Sequence, residues 1–447
     1  MAERGGQMKL AAFFHPPGSH VAGWRLPEAA ADSDMNIARY VEVTRAAERG
    51  KMDCVFFQDS NATNQSEALG RRKRTRAQYP RAVIIEPLML LPALAMCTTH
   101  IGLVATQTTT YNQPYHVARH FASLDHISGG RGGWNLVTSQ NEDEAGNFGL
   151  DRHVDHALRY ERAAEFFDVV AKLWDSWDVD ALIRHKASGL YLDVEKVRLQ
   201  RHEGRFFRVR GPLNVPRSPQ GRPIVAQAGS SDVGRELAAK TADIVFTAQH
   251  DLATSRAFMH DVKRRTGAYG REPDHVKILP GFIPVIGRSM QEAQDKFGEL
   301  QSLISDDLVL RALERHTGGV DLTKFPIDGP LPELGESNSA KGRQQMLVDM
   351  ARNENLSIRQ LGLRFAAGSG HRVVIGTGKT IADDMEEWFR GGGADGFTVM
   401  YPYTPGPAHD FTDLVIPELQ KRGLFRTEYE GRTLRQNLGL PMPKTPA

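Results

Sequence analysis

Eight short apolar runs, separated by longer stretches of helical period, constrain this chain more than any other feature. They fall at 9–14, 54–59, 101–109, 133–139, 223–229, 244–248, 277–286 and 396–401. Several are almost continuously apolar, as a strand covered on both faces must be. Helices are legible between them. Residues 36–49 carry Ile37, Tyr40, Val41, Thr44 and Ala47 on one stripe and stop at Gly50. Residues 86–99 open with Pro87, where a missing N–H costs nothing. Residues 158–177 space Ala163, Phe166, Phe167, Val170, Leu173, Trp174 and Trp177 by threes and fours. Strands alternating with helices predict an α/β fold of βα units, and eight of them predict one (β/α)8 TIM barrel spanning 1–447.

Three stretches exceed a minimal barrel, near 60–81, 176–222 and 287–370. They are expected as insertions at the C-terminal rim, because long loops in a compact fold are usually lids or binding loops. The last should hold a helix at 291–304, a Gly/Pro-rich loop through 316–332 and a further helix.

The 56 basic and 54 acidic residues leave a net charge of +2, too small to argue for nucleic acid or a membrane surface. Cys54 and Cys97 are the only cysteines and offer neither a disulfide framework nor a zinc site. No apolar run reaches the roughly 18 residues of a membrane span, and the N-terminal run is too short for a signal segment. A cytoplasmic enzyme acting on a small molecule is the expectation.

Barrel enzymes place their chemistry where strands end. Those ends deliver Asp59 and Ser60, then Thr106, then Asn135, Thr138 and Ser139. The fifth, AQAGSSDVG, opens a helix on Ser230, Ser231 and Asp232. Hydroxyls there either receive an anion or simply cap the helix. His156 and Tyr160 share a face if their helix starts early enough. His116 and His120 have the same spacing but no third ligand, so no metal is expected. GTGKT at 376–380 lacks the first glycine of a phosphate loop and reads as a turn and helix start after strand-like RVVIG. The basic run RRKRTR at 71–76 is either a solvated loop or an attractor for an anionic substrate. No Gly-x-Ser-x-Gly elbow and no GxGxxG after the first strand is present.

Longer motifs carry a resemblance. LDHISGGRGGWNLVTS (124–139), NFG (147–149) and HALRYERAAEFFDVVAKLWDSW (156–177) closely resemble the nitrilotriacetate and dibenzothiophene-sulfone monooxygenases, which belong to the bacterial-luciferase-like flavin enzymes. GPLNVPRSPQGRPIVAQAGSS (211–231), GGGADGF (391–397) and IPELQKRGLFRTEY (416–429) extend it over essentially the whole chain. The resemblance implies a luciferase-type barrel that is the oxygenase half of a two-component monooxygenase. Reduced FMN would come from a separate NAD(P)H:flavin reductase and would activate O₂. Asp59 and Thr106 would lie near the flavin ring, Ser139 beside it, and His156, Tyr160, Ser230 and Ser231 toward the phosphate. Phe14, Phe56 and Phe246 would line the substrate pocket, with His20 and His316 as catalytic residues or as structural histidines of the rim. Relatives imply a homodimer or homotetramer. The aromatic pocket favours an organosulfur or chlorinated aromatic substrate, whose C–S, C–N or C–halogen bond would break. The basic loop favours an aminopolycarboxylate or alkanesulfonate instead. Hydride transfer with a deazaflavin is the alternative on the same fold.

Overall fold

Nine strands in one sheet form the centre of the molecule, a computed structural model that describes residues 6–63, 83–314, 316–335 and 341–443. The strands are β1 (Lys9–Phe14), β2 (Cys54–Phe57), β3 (Gly102–Thr108), β4 (Gly132–Val137), β5 (Ile224–Gln227), β6 (Ile244–Thr247), β7 (Lys277–Ile286), β8 (Arg372–Gly376) and β9 (Gly396–Met400). Eight of them close a parallel ring in the order β1-β2-β3-β4-β5-β6-β7-β9, with β9 returning to β1. These are the eight runs seen in the sequence. β8 is a ninth strand outside the ring. β7 has ten residues; its first half pairs with β6, and its second half, Phe282 to Ile286, pairs with β8.

Strand parity divides the barrel into two layers. Ala11, Phe13, Cys54, Phe56, Val104, Ile224, Ala226, Ile244, Phe246, Leu279, Ile283 and Met400 form the interior cluster. Their neighbours in sequence, such as Leu10, Phe14, Phe57, Leu103 and Trp134, face the surrounding helices. Those helices include α1 (Ile37–Arg49), α2 (Pro87–Cys97), α3 (Pro114–Ser128), α4 (His156–Trp174), α5 (Asp232–Thr241) and α6 (Leu252–Gly267). Asn36 caps α1 through Oδ1 to the Ala38 N–H at 3.0 Å. Asp155 caps α4, so that helix starts two residues earlier than its apolar stripe indicates.

The N-terminal end of the barrel is plugged. Leu434, Leu438 and Leu440 join the interior cluster from below, and Asp53 binds the Leu10 N–H at 2.7 Å and also Arg426.

Of the three insertions, 64–82 lies outside the described residues, and with it the RRKRTR run. The second folds back onto α4, where Glu165 accepts the Phe207 N–H at 3.0 Å, and onto itself, where Trp177 Nε1 donates to the Leu213 carbonyl at 2.6 Å. The third is more helical than its composition predicts. It holds α7 (Met290–Ser302), α8 (Asp306–Glu314), α9 (Lys341–Asn353) and α10 (Ile358–Gly368). Leu313, Leu322, Leu347, Ile358, Leu361 and Phe365 give α8 to α10 a core of their own, which reaches Ala248 just beyond β6. A further helix, α11 (Gly378–Arg390), begins with Thr377 as its cap, so GTGKT is a helix start.

Candidate flavin site at the C-terminal mouth

Polar residues gather where β2, β3 and β4 end. Thr106 faces the interior; its hydroxyl donates to the Phe57 carbonyl at 2.8 Å and accepts Asn135 Nδ2 at 2.7 Å. Asn135 is 4 % exposed, and its Oδ1 is buried with no partner among the described residues. A buried carbonyl oxygen without a donor is costly, so this one is set for a ligand N–H.

Ser139 ends the β4 turn in the left-handed region, at φ +54°. Its hydroxyl lies 2.7 Å from Glu144 Oε2 and 2.8 Å from Thr108 Oγ1. Glu144 also accepts from Ser60 Oγ and Asn61 Nδ2, both at 3.3 Å, and so ties the β2 loop to the β4 loop. Burial raises the Glu144 pKa against those donors. Asp59 stands in the same loop. Burial pushes its carboxyl up to about 6, with Glu86 and Glu144 adding repulsion.

The first turns of α4 hold this arrangement. Arg159 is 1 % exposed and donates to the carbonyls of Ser139 and, at 3.4 Å, Thr138. Arg162 Nε donates to the Thr109 carbonyl at 3.1 Å. His153 Nε2 accepts from Arg159 at 2.5 Å, which leaves Nδ1–H for the Tyr111 oxygen, also at 2.5 Å. Burial, then the Arg159 charge, depress the His153 pKa to about 4, so the ring stays neutral.

His156 and Tyr160 share one face of α4, with ring centroids 4.9 Å apart. The adjacent α5 starts at the end of β5, with Ser231 Oγ accepting the Gly234 N–H at 3.2 Å. Lys240 to Asp168, at 2.9 Å, joins α5 to α4. Two neighbouring helices thus bring hydroxyls and first-turn N–H groups to one end of the barrel. Ser230 and Ser231 are half-buried there, with Ser231 acting as the cap.

Inside the mouth, Phe13, Phe56 and Phe246 form a three-ring cluster, with centroids 5.4 to 5.8 Å apart. Phe14 is not part of it. It lies on the outer face against Tyr40, at 4.8 Å, because adjacent residues of a strand point oppositely. Phe13 takes the place expected of Phe14.

His20 lies in the loop after β1 and is 2 % exposed; its Nδ1 accepts the Ala22 N–H at 3.2 Å. His316 follows α8 with its ring 5.5 Å from Phe365. Val21 packs with Leu308 and Ala366, so both histidines border the α8–α10 pair.

Residues 11–396 match the luciferase-like monooxygenase family. The chain belongs to that family. It is 50% identical to the nitrilotriacetate monooxygenase component A of Aminobacter aminovorans, over 98% of this chain and 97% of the relative. It is 41% identical to the dibenzothiophene-sulfone monooxygenase of Rhodococcus erythropolis, over 98% of both. The crystal structure of a riboflavin lyase, with modified FMN and substrate riboflavin, superposes with a TM-score of 0.87 at 30% identity, covering 98% of this chain and 97% of that one.

In this luciferase-like monooxygenase the polar cluster at the mouth is built on residues that strand ends reveal, supported by others that they do not. Glu144, His153 and Arg159 were missed. Only Arg159 left a signal, since its position within HALRYERAAEFF falls on the apolar side of α4. His116 and His120 sit on α3 with ring centroids 6.1 Å apart, and no group of three metal-ligating side chains occurs among the described residues. No described helix is long and apolar enough to cross a membrane.

Proposed function

We propose that this enzyme is the oxygenase component of a two-component system that uses reduced FMN and O₂ to oxygenate a small organic compound. The observation that carries this reading is the unpartnered, buried Asn135 Oδ1 beside Thr106, at the mouth of a barrel whose family oxidises with flavin. When bound, the flavin supplies the electrons and the activated oxygen.

The residues of this chain do the rest. Asn135 and Thr106 orient the ring from one strand pair, with Ser139 beside it and Asp59 at its edge. His156, Tyr160, Ser230 and Ser231 receive the phosphate at the paired starts of α4 and α5. Phe13, Phe56 and Phe246 seat the substrate and keep water from it. Asp59 changes charge near pH 6 and can hold or release a proton there. His20 and His316, on either side of α8–α10, steady charge developing on the substrate. A C–S, C–N or C–halogen bond next to the oxygenated atom then breaks. The component and subunit names of relatives support reduction in trans by a separate NAD(P)H:flavin reductase.

Fluorescence titration with FMN tests the site. Ser139→Ala or Tyr160→Ala should weaken binding roughly tenfold, the loss of one or two hydrogen bonds. Unchanged affinity removes that residue from the site. His316→Ala should lower turnover more than FMN affinity; unaltered turnover returns it to a structural role.

A further inference from the structure

The insertion carries a cation for which the flavin-facing residues have no use. Arg343, in the first turn of α9, donates from Nη2 to His371 Nε2 at 2.7 Å and from Nη1 to the Ser369 carbonyl at 2.6 Å. His371 directs its Nδ1–H at the Gly281 carbonyl, 3.3 Å away. Burial, and then the guanidinium, hold this ring neutral, well below the ordinary histidine range. The ring lies flat on Phe246, 5.1 Å away and 4° from parallel, and Phe246 stacks on Phe13. The guanidinium is therefore one residue removed from the aromatic floor.

Among the buried arginines, Arg217 binds Asp175 at 2.8 Å and Arg435 binds Asp243 at 3.1 Å, while Arg131 fills its donors with carbonyl and hydroxyl oxygens. No carboxylate pairs with Arg343 among the described residues, and loss of water lowers its pKa to about 10. Two acceptors leave N–H groups of the fork unused. Close by, His250 has a buried Nδ1 without a partner among the described residues, and its pKa is lowered by burial and by Arg343. A planar cation with spare donors, beside an open imidazole nitrogen, has the chemistry of a carboxylate receptor.

We propose that Arg343, braced by His371 and joined by His250, receives a carboxylate of the substrate, whose apolar part rests on Phe13, Phe56 and Phe246. The inference rests on the reading of the mouth as a flavin oxygenase site and narrows its substrate to a small organic anion. A phosphate would satisfy the same guanidinium, and α9 does start near Ser230: a Cβ on Gly342 would fall 2.3 Å from Ser230 Oγ. Arg343 nonetheless spends its bond on the histidine that covers Phe246, which assigns it to the substrate side.

Calorimetric titration of the full chain, with and without oxidised FMN, tests this. The probes are succinate, tricarballylate and benzoate, with succinamide as the neutral control and inorganic phosphate as a separate arm. At least one carboxylate should bind while succinamide does not. Arg343→Gln should weaken that binding at least tenfold and FMN binding less than twofold, with Arg343→Lys in between. His250→Leu should weaken carboxylate binding severalfold, and it decides the matter if Arg343→Gln does not fold. The proposal is overturned if the wild type binds no carboxylate, or if both variants bind it unchanged. It is also overturned if the loss is confined to FMN, with phosphate as competitor. A wild type that binds carboxylate but no FMN would sink the flavin reading and leave the receptor standing.

Discussion

Arg131 shows how one residue of a long motif can be purely structural. Its Nε donates to the Ser128 carbonyl, Nη1 to Thr98 Oγ1 and the Ile101 carbonyl, and Nη2 to the carbonyls of Ala95 and Thr98, all within 3.2 Å. Arg131→Met would strand those acceptors and should cost about 3–5 kcal/mol in urea melts, with FMN affinity unchanged in the folded fraction. Gly130, beside it at φ +93°, admits no side chain because a Cβ would meet Thr433 at 2.6 Å. Asp59 is the opposite case, a residue whose environment costs stability. Its folded pKa of about 6 lies above the ordinary aspartate value of 3.8, so its stabilising contribution is full below about pH 4 and lost as pH rises through 6. Asp59→Asn should then raise stability by about 1–2 kcal/mol at pH 8, since the side chain is partly accessible, and by nothing at pH 4. Thermal melts at the two pH values check this. At this scale the sequence was legible where spacing decides, as for His156 and Tyr160. It was illegible where strand parity decides: the pair Phe13–Phe14 gives no sign of which ring faces inward.

Among the elements, α4 does most to shape the site. Its first turns place Arg159 against the Ser139 turn, which sits in a backbone region that L residues adopt at a cost. Arg159→Met should therefore destabilise by about 2–4 kcal/mol and also weaken FMN binding, whereas Arg131→Met should do only the first. Paired urea and FMN titrations separate the two. The helix was visible in the sequence because Phe166, Val170, Leu173 and Trp174 repeat at its period. The helices of the third insertion were less so. α8 has nine residues and opens with two aspartates, too short for a periodic stripe to stand out. The start of α10 did have a readable sign, the Ser357–Gln360 capping box.

For the whole molecule, closure is the property that no local pattern encodes. Eight strands were countable from their apolar runs, but the β9–β1 pairing joins Lys9 to Gly396 across the full chain. The leucine plug beneath the barrel is equally nonlocal. Leu438 is fully buried in the barrel cluster, and Leu438→Ala should cost about 2–5 kcal/mol, read as a lowered urea midpoint, without altering the mouth. On the proposed reading function is a whole-molecule property as well, because the residues assigned to ring, phosphate and substrate come from β1 to β6, from α4 and α5, and from the third insertion. The most direct test is an aerobic assay of the purified chain with FMN, NADH and an unrelated flavin reductase. Its substrate panel would hold nitrilotriacetate, dibenzothiophene sulfone, a chlorinated aromatic and an alkanesulfonate. A product that requires reductase, FMN and O₂ together is the predicted result; a product formed without O₂, or a chain that binds no FMN at all, would contradict it.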